Sequence, residues 1–510
     1  MAAISSPRFA AEIRSAALHT LAATFAGLVV RLSYVLAWDF PLNDGGMFFV
    51  MTRDLISAGL GMPPTTTYND LAIPYAYPPL GFYLAAVVTM ATGVDLVELF
   101  RWLPLVLSAA CVPAFALIAR EVLSPTAARA ATYLYALVPA SFVWPIMGGG
   151  LTRSLGLLFA LLALASLVRA LDTGSRRGLI LAAVLSGLAA MSHPNAAAFL
   201  AMSAVLITLL RSPTRASLVR LAAVGTGAIV VAAPWWLTVV ARSGLTPFTA
   251  AASASRTEDL IVPAIGTLLR WNAWNEPLFP LVSALALGGL AMSVARRELL
   301  LPVWIVVLAF ALPGPFQMLS AIPLALLGGV AVAAAFELPI AARPARAIAV
   351  AGVAYLIVAA MLAFVGVLEG LPSEERVAMR WVADETPADA RVLVVTTRSW
   401  GMDAAGEWLP ALGERASVVV PQGADWLPNV AHQRTIQHQR AEECAQSDGD
   451  CLERLADDGV EFDYVYLASV RPGRDPTSIS CCEPLAAALR NDERYSIAYE
   501  SASVLIFARR

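Results

Sequence analysis

The sequence predicts an all-α polytopic membrane domain of about eleven transmembrane helices, followed by a small α/β soluble domain. The 510 residues are 58% hydrophobic and only 14% charged, with a mean hydropathy of +0.68. No water-soluble core hides that much apolar surface, so the solvent must be lipid. Long apolar runs recur up to about residue 370 and then stop, and most of the 38 acidic residues lie after Gly370. This asymmetry predicts a domain boundary.

The transmembrane topology follows from the apolar runs and the arginines. Twelve runs are candidate spans: 15–37, 79–94, 101–119, 126–144, 151–170, 179–191, 194–210, 217–240, 278–295, 300–312, 317–336 and 347–368. Arginine-bearing short loops are expected on the cytoplasmic side. These loops carry Arg120 and Arg129; Arg169, Arg176 and Arg177; Arg211, Arg215 and Arg220; Arg296 and Arg297; and Arg343 and Arg346.

The positions of these loops leave eleven crossings. With a cytoplasmic N-terminus and a retained first span, the run 79–94 cannot cross. It is expected to lie as an interfacial helix in a large first outer loop, as is an amphipathic helix over 47–60. The C-terminus then lies on the extracytoplasmic side of the cell membrane.

The C-terminal segment has the size and pattern of a separate domain. Residues 1–370 are predicted to form the membrane domain and 371–510 the extracytoplasmic α/β domain. A helix is expected over 373–386 and strands over 392–397, 417–420, 464–468 and 504–508. A Cys444–Cys451 disulfide is expected in an oxidising compartment. The alternative is a zinc set of these cysteines with His432 and His438, but its spacing fits no standard finger.

An acidic residue flanked by glycines stands in the first outer loop, in the run Asn43-Asp44-Gly45-Gly46. A carboxylate at the membrane surface with free backbone around it is suited to act as a general base on an acceptor hydroxyl. The alternative is that Asp44 caps the helix that follows, and spacing alone favours this cap.

Further motifs follow in a characteristic order. These are Arg31 in the first span, Tyr75-Ala76-Tyr77-Pro78-Pro79, Phe100-Arg101-Trp102-Leu103-Pro104, Met191-Ser192-His193-Pro194-Asn195, Ala233-Pro234-Trp235-Trp236, Glu407-Trp408-Leu409-Pro410 and Asp425-Trp426-Leu427. This order resembles that of the C-type glycosyltransferase superfamily, which includes the protein O-mannosyltransferases and the aminoarabinose transferases of lipid A. The resemblance implies an enzyme that moves a sugar from a polyprenyl-phosphate donor to a hydroxyl of a lipid, glycan or protein acceptor on the extracytoplasmic side. A single displacement implies inversion.

The resemblance also assigns roles to residues. It implies that Asp44 is the catalytic base, with Asp39 as the fallback. The family often has another acid in the second outer loop, but residues 147–153 contain none. This departure weakens any metal-dependent mechanism, because a hard divalent cation needs several oxygen ligands. No cofactor is expected to be required, and a divalent metal stays open as the unsupported alternative. Arg153 in this loop is expected to grip the leaving phosphate through two parallel hydrogen bonds, or else to be an ordinary interfacial arginine.

The remaining candidates would contact the substrate. His193 lies at a helix-pair apex, where it either donates to the phosphate or is a plain surface histidine. Arg31 is a charge inside a span, which predicts a role toward the acidic loop or the carrier phosphate. Tyr77, Arg256 and Arg270 complete the set. Aromatic residues near the two last arginines either stack on a sugar or line the lipid–water boundary, and the boundary is favoured.

Two other classes of protein are alternatives to the transferase hypothesis. A transporter or flippase of lipid-linked saccharides should concentrate polar groups near the bilayer midplane, where these spans have only Arg31. A non-catalytic scaffold would not need the loop acid or Arg153. Nothing supports nucleic acid as a partner, and membrane lipids surround the spans. The transferase hypothesis requires the loop at Gly45-Gly46 and the turn at 148–150 to converge on one face.

Overall fold

A computed structural model gives the fold and describes residues 7–254, 262, 265–266, 268, 274–339, 341–364, 367–468 and 481–510. The membrane domain is helical. Its described helices are α1 (Pro7–Leu36), α2 (Gly46–Ser57), α3 (Leu80–Thr92), α4 (Leu96–Val122), α5 (Pro125–Leu137), α6 (Gly150–Thr173), α7 (Arg176–Ala190), α8 (Pro194–Arg211), α9 (Arg215–Ser243), α10 (Thr246–Ala254), α11 (Leu281–Ala295), α12 (Leu300–Ala311), α13 (Phe316–Phe336) and α14 (Ala342–Leu362).

Seven of these helices are long and apolar enough to cross a membrane: α1, α4, α6, α8, α9, α13 and α14. A multi-pass helical membrane domain is therefore confirmed. The other four predicted spans contain the shorter helices α5, α7, α11 and α12, so the count of eleven stays a prediction. Helix α3 has 13 residues, about 20 Å at helical rise, which is too short for a hydrocarbon core about 30 Å thick.

Arginines gather at one end of the helical bundle. Arg120 donates to Ala16 O and Thr20 Oγ1 near the start of α1. In the same way Arg211, at the end of α8, donates to Glu121 O and pairs with an aspartate at the end of α6. The glycine turns and the first outer loop lie at the opposite end, where α6 and α8 begin. Arginine-bearing loops that are distant in sequence thus share one face of the membrane domain.

The C-terminal domain contains a five-stranded mixed sheet in the order β2-β1-β3-β5-β4. Its strands are β1 (Arg391–Val395), β2 (Ala416–Ser417), β3 (Tyr464–Leu467), β4 (Tyr495–Glu500) and β5 (Leu505–Arg509), and its helices are α15 (Ser373–Glu385), α16 (Ala404–Leu412), α17 (Val430–Cys444), α18 (Asp450–Asp457) and α19 (Glu483–Arg490). Strands β1, β2 and β3 are parallel, and β5 is antiparallel to β3 and β4. A small sheet is thus present in the C-terminal segment, as the strand-like runs predicted, and the division into two domains at residue 370 stays a prediction. The expected Cys444–Cys451 disulfide is present, and Cys481 is bonded to Cys482.

The first outer loop and the C-terminal domain share one hydrophobic core. It joins Phe40, Met47 and Phe48 of the loop to Met379 and Trp408 of the C-terminal domain, and all five side chains are buried. Trp408 stacks edge-on against Phe40, with ring centroids 4.7 Å apart. The sequence boundary at Gly370 is therefore bridged by continuous apolar packing, which fixes the C-terminal domain over the loop that contains Asp44.

Candidate functional site

The first outer loop and the glycine turn before α6 meet at Asp44. Gly149 N donates to Asp44 Oδ1 over 2.9 Å, and Gly148 N donates to Leu42 O over 2.9 Å. Gly45 has a φ of +129°, and a Cβ there would lie 3.0 Å from the Gly148 carbonyl carbon. Only glycine fits such a backbone and so close an approach. The convergence that the transferase hypothesis requires is therefore present.

Asp44 does not cap the helix that follows it. The N-cap of α2 is Gly45, and no side chain accepts a hydrogen bond there. The capping interpretation is wrong because the carboxylate points across to the other loop, at the N-terminus of α6. The partial positive charge at this helix end favours an anion.

Arg153, in the first turn of α6, forms an ion pair with Asp44. Its Nη2 lies 2.5 Å from Asp44 Oδ2, and the two side chains are 17% and 7% exposed. The guanidinium also lies over the Trp144 ring, 5.4 Å from its centroid. Its other terminal nitrogen, Nη1, is buried and has no hydrogen-bond partner within the described part of the chain. Arg153 thus holds the acid with one nitrogen and has a second donor left over for an anionic ligand.

A second carboxylate approaches from the C-terminal domain. Glu407, on α16, accepts a hydrogen bond from Gly45 N at 2.9 Å and is only 6% exposed. Burial, and to a smaller extent the negative charge of Asp44, raise the pKa of Glu407 to about 8. Glu407 belongs to one of the motifs that carry the family resemblance, but the sequence predicts no role for it. No local signal identifies it, because Glu407 and Gly45 stand 362 residues apart in the chain.

His193 and Tyr77 line the same region. His193 Nδ1 accepts from Asn195 N over 3.2 Å, so the hydrogen-bond pattern assigns the proton of the neutral ring to Nε2. Burial lowers the pKa of His193 to about 3, with a smaller contribution from Arg153, which keeps the ring neutral at pH 7. The Tyr77 ring packs against His193 with centroids 6.2 Å apart, and its hydroxyl lies 3.3 Å from Thr152 Oγ1. Neutral donors thus accompany the ion pair.

The other predicted site residues lie away from Asp44 or outside the described residues. Arg31 is fully buried and donates to Ser108 Oγ, Gly27 O, Ala136 O and Ser141 Oγ, so its contacts join the first, fourth and fifth helices. Its hydrogen bonds include none to Asp44. Asp39 pairs with Arg376 of α15 at 2.6 Å, and this hydrogen bond holds the pKa of Asp39 below its usual range. Arg256 and Arg270 lie outside the described residues.

Trp274, an aromatic residue close to Arg270 in the sequence, is not at the surface. It is 9% exposed, and its Nε1 donates to Ser320 Oγ of α13 over 2.8 Å. Two clefts are described near the first outer loop, and Asp44 and Arg153 line neither. The larger, of about 90 Å³, lies between Asn43 and the C-terminal domain. The ion pair therefore does not form part of the wall of either cleft. Among the described residues, no group of three or more histidine, cysteine, aspartate or glutamate side chains is placed to hold a metal ion.

Comparisons with solved structures show which proteins share this fold. The archaeal oligosaccharyltransferase AglB from Archaeoglobus fulgidus, solved with an inhibitory peptide and a dolichol-phosphate, superposes with a TM-score of 0.59 at 14% identity, covering 88% of this chain and 69% of that one. ArnT from Cupriavidus metallidurans, bound to undecaprenyl phosphate, gives 0.55 at 15% identity and covers 94% and 96%. The arabinofuranosyltransferase AftD from Mycobacteria gives 0.58 at 18% identity and covers 96% and 40%. The chain has the fold of the C-type membrane glycosyltransferases.

Sequence comparison is consistent with this class. Residues 76–238 match the family described as dolichyl-phosphate-mannose-protein mannosyltransferase. The match begins at Ala76 and ends within α9, and so includes Tyr77, Arg153 and His193. A search among curated protein sequences found no match. The predicted resemblance to the C-type glycosyltransferase superfamily is confirmed, and these matches lend no support to a transporter or a scaffold.

Proposed function

We propose that this protein is a membrane glycosyltransferase that moves a sugar from a polyprenyl-phosphate donor to an acceptor hydroxyl on the extracytoplasmic face. The observation that carries the proposal is the Asp44–Arg153 pair, in which Arg153 Nη1 is buried without a hydrogen-bond partner within the described chain. A buried donor without a partner is costly, so a ligand oxygen that occupies it is strongly favoured. The dolichol-phosphate and undecaprenyl phosphate bound to the similar AglB and ArnT support a lipid phosphate as that ligand.

The chemistry divides between the two members of the pair. The donor phosphate binds Arg153, and the His193 Nε2–H supplies a second hydrogen bond to it. Both stabilise the negative charge that develops on the leaving phosphate. As the phosphate attracts the guanidinium, Asp44 Oδ2 becomes free to accept the proton of the acceptor hydroxyl. The acceptor oxygen attacks the anomeric carbon, the bond to the phosphate oxygen breaks, and the configuration inverts. Tyr77 and the loop residues Asp39, Arg256 and Arg270 remain candidates for substrate contacts.

Arg31 does not fit a direct contact with the substrate, because its donors are already occupied by Ser108, Gly27, Ala136 and Ser141. We keep it as a candidate only for an indirect effect.

No divalent metal is required in this mechanism, because Arg153 and a neutral histidine neutralise and hydrogen-bond the phosphate. A transfer rate that is unchanged by EDTA would agree with this, and a rate restored only by Mg²⁺ or Mn²⁺ would contradict it.

The proposed orientation places the N-terminus in the cytoplasm and the C-terminal domain outside, with eleven spans between them. The gathering of arginines at the end opposite the site supports it, because short arginine-rich loops remain cytoplasmic. Disulfides in the C-terminal domain also support an oxidising location. A reporter that is active only outside the cytoplasm, fused after residue 510, should be active. The same reporter fused in the loop after α4 should be inactive.

Transfer is tested with the protein purified in lipid nanodiscs. Synthetic polyprenyl-phosphate mannose and polyprenyl-phosphate arabinose serve as donors, and a membrane extract supplies acceptors. Release of polyprenyl phosphate together with a glycosylated product supports the proposal, and Asp44→Asn should abolish both. Flux of the intact donor across proteoliposomes without any product would contradict it and favour a transporter.

A further inference from the structure

Helix α16 of the C-terminal domain contacts the loop on both sides of Asp44. On one side, Gly45 N donates to Glu407 Oε1, and on the other Trp408 Nε1 donates to Asn43 O; both distances are 2.9 Å. The helix backbone also presses against the loop, since a Cβ at Gly46 would collide with Glu407 O. Asp44 is thus bracketed by two hydrogen bonds from consecutive residues of another domain.

Glu407 and Trp408 are themselves held in place by further residues of the first outer loop. Tyr68, elsewhere in the first outer loop, is fully buried and donates through its hydroxyl to Glu407 O over 2.9 Å. Trp408 is also fully buried, between Phe40 and Phe49. A hydrogen-bonded carboxyl in such packing has little freedom to move, so the anchor is rigid. Purely apolar contact would hold the domain in place without a buried carboxyl group at this position.

We propose that Glu407 is a positioning residue for Asp44, through which the C-terminal domain sets the loop geometry needed for sugar transfer. This inference rests on the proposed function. Glu407 fixes the Gly45 peptide, and that peptide fixes the direction in which the Asp44 carboxylate leaves the loop toward Gly149 and Arg153. A displacement of about 1 Å in a catalytic group can cost about 100-fold in rate. The C-terminal domain therefore contributes to the active geometry itself.

The protonation state of Glu407 adds a second consequence. The titratable and charged groups that face it are Asp44 and Arg153 across the loop, with Tyr68 and Asp403 nearby among the described residues. Because its pKa lies near 8, Glu407 is protonated at neutral pH and ionises as the pH rises through that value. The added negative charge then competes with a lipid phosphate for Arg153. We expect the donor KM to rise above about pH 8.

Two substitutions separate positioning from bulk stability. Glu407→Gln keeps an oxygen that accepts from Gly45 N and removes the titration. Glu407→Ala removes the acceptor. We expect Glu407→Ala to lower kcat by about 10- to 100-fold with an unchanged donor KM at pH 7, and Glu407→Gln to retain kcat while losing the alkaline rise in KM. The matched control is Glu414→Gln, which removes an exposed contact between the same two domains, the pair with Arg53 at 3.3 Å, and should change neither parameter.

Hydrogen–deuterium exchange of the full-length protein provides a readout that is independent of transfer. Glu407→Ala should speed exchange at Gly45 N and also at Gly149 N, whose protection reports the position of Asp44. Glu407→Gln should leave both protected. If Glu407→Ala exchanges like the wild type at both amides, or keeps the wild-type kcat, the positioning proposal is overturned. If the wild-type protein transfers sugar from neither donor while exchange responds as expected, the proposed function fails and the positioning of Asp44 stands.

Discussion

Replacement of Asp44 by asparagine distinguishes the catalytic role of its carboxylate from its structural role in the loop. The amide oxygen of asparagine still accepts from Gly149 N, and its size matches that of the carboxylate, so the loop geometry is retained. The substitution removes the proton acceptor. General-base catalysis contributes about 10²- to 10⁴-fold, which corresponds to about 3–6 kcal/mol of transition-state stabilisation at about 1.4 kcal/mol per tenfold. We expect Asp44→Asn to reduce kcat by at least the lower of these factors.

The cost to folding should be smaller. Breaking a fully buried ion pair costs about 3–5 kcal/mol, but here the Arg153 side chain is 17% exposed and the amide oxygen remains as an acceptor. We therefore expect about 1.5–3 kcal/mol, the range for a hydrogen bond to a charged group. The assay is single-turnover release of polyprenyl phosphate in nanodiscs, with the thermal midpoint measured on the same sample. If the Asp44→Asn variant keeps the wild-type turnover, Asp44 is not the catalytic base. Unfolding of the variant at the assay temperature refutes the estimate of its stability.

Three further substitutions test the surrounding residues. Arg153→Gln should weaken binding of polyprenyl phosphate, measured by native mass spectrometry, by at least 10-fold, because the charged donor with a free nitrogen is lost; unchanged binding would place the phosphate elsewhere. Gly149→Ala should reduce transfer as strongly as loss of the base, because its Cβ would lie 2.8 Å from Asp44 Oδ2 and 3.0 Å from Arg153 Nη1; a fully active variant would show that the pair is not needed in this arrangement. Arg31→Met should lower the thermal midpoint, because it leaves Ala136 O without its buried donor, while kcat of the folded fraction stays unchanged; a selective loss of kcat would instead support a role toward the carrier phosphate.

The general fold was predictable because lipid imposes a strong constraint. Apolar runs and arginines predicted a multi-pass helical domain, and strand-like runs in the C-terminal segment predicted strands β1, β3 and β5. Strand β4 was missed because it lies at the sheet edge with mostly part-exposed residues, so its sequence has no apolar run. A strand was predicted over 417–420, but β2 is Ala416–Ser417, so the prediction and the structure share only Ser417.

The candidate site was predictable only in part. Glycines beside an acid and beside an arginine indicated where two loops approach each other, and the structure brings Asp44 and Arg153 into contact. The direction of the carboxylate was not predictable, because capping and catalysis use the same local sequence. The roles of Glu407 and Trp408 could not be predicted from the sequence for another reason. Their contacts with the loop depend on how the C-terminal domain docks, and no local pattern in α16 encodes a partner in the first outer loop.

The apolar core shared by the first outer loop and the C-terminal domain has a practical consequence for engineering. Deleting residues 371–510 would not yield a minimal enzyme, since Phe40, Met47 and Phe48 would lose the side chains that cover them. The truncated protein would expose an apolar surface next to the membrane and would tend to aggregate. Shortened versions should therefore keep α15 and α16 together with the sheet, and tags or fused partners belong after Arg510 or within the arginine-rich turns.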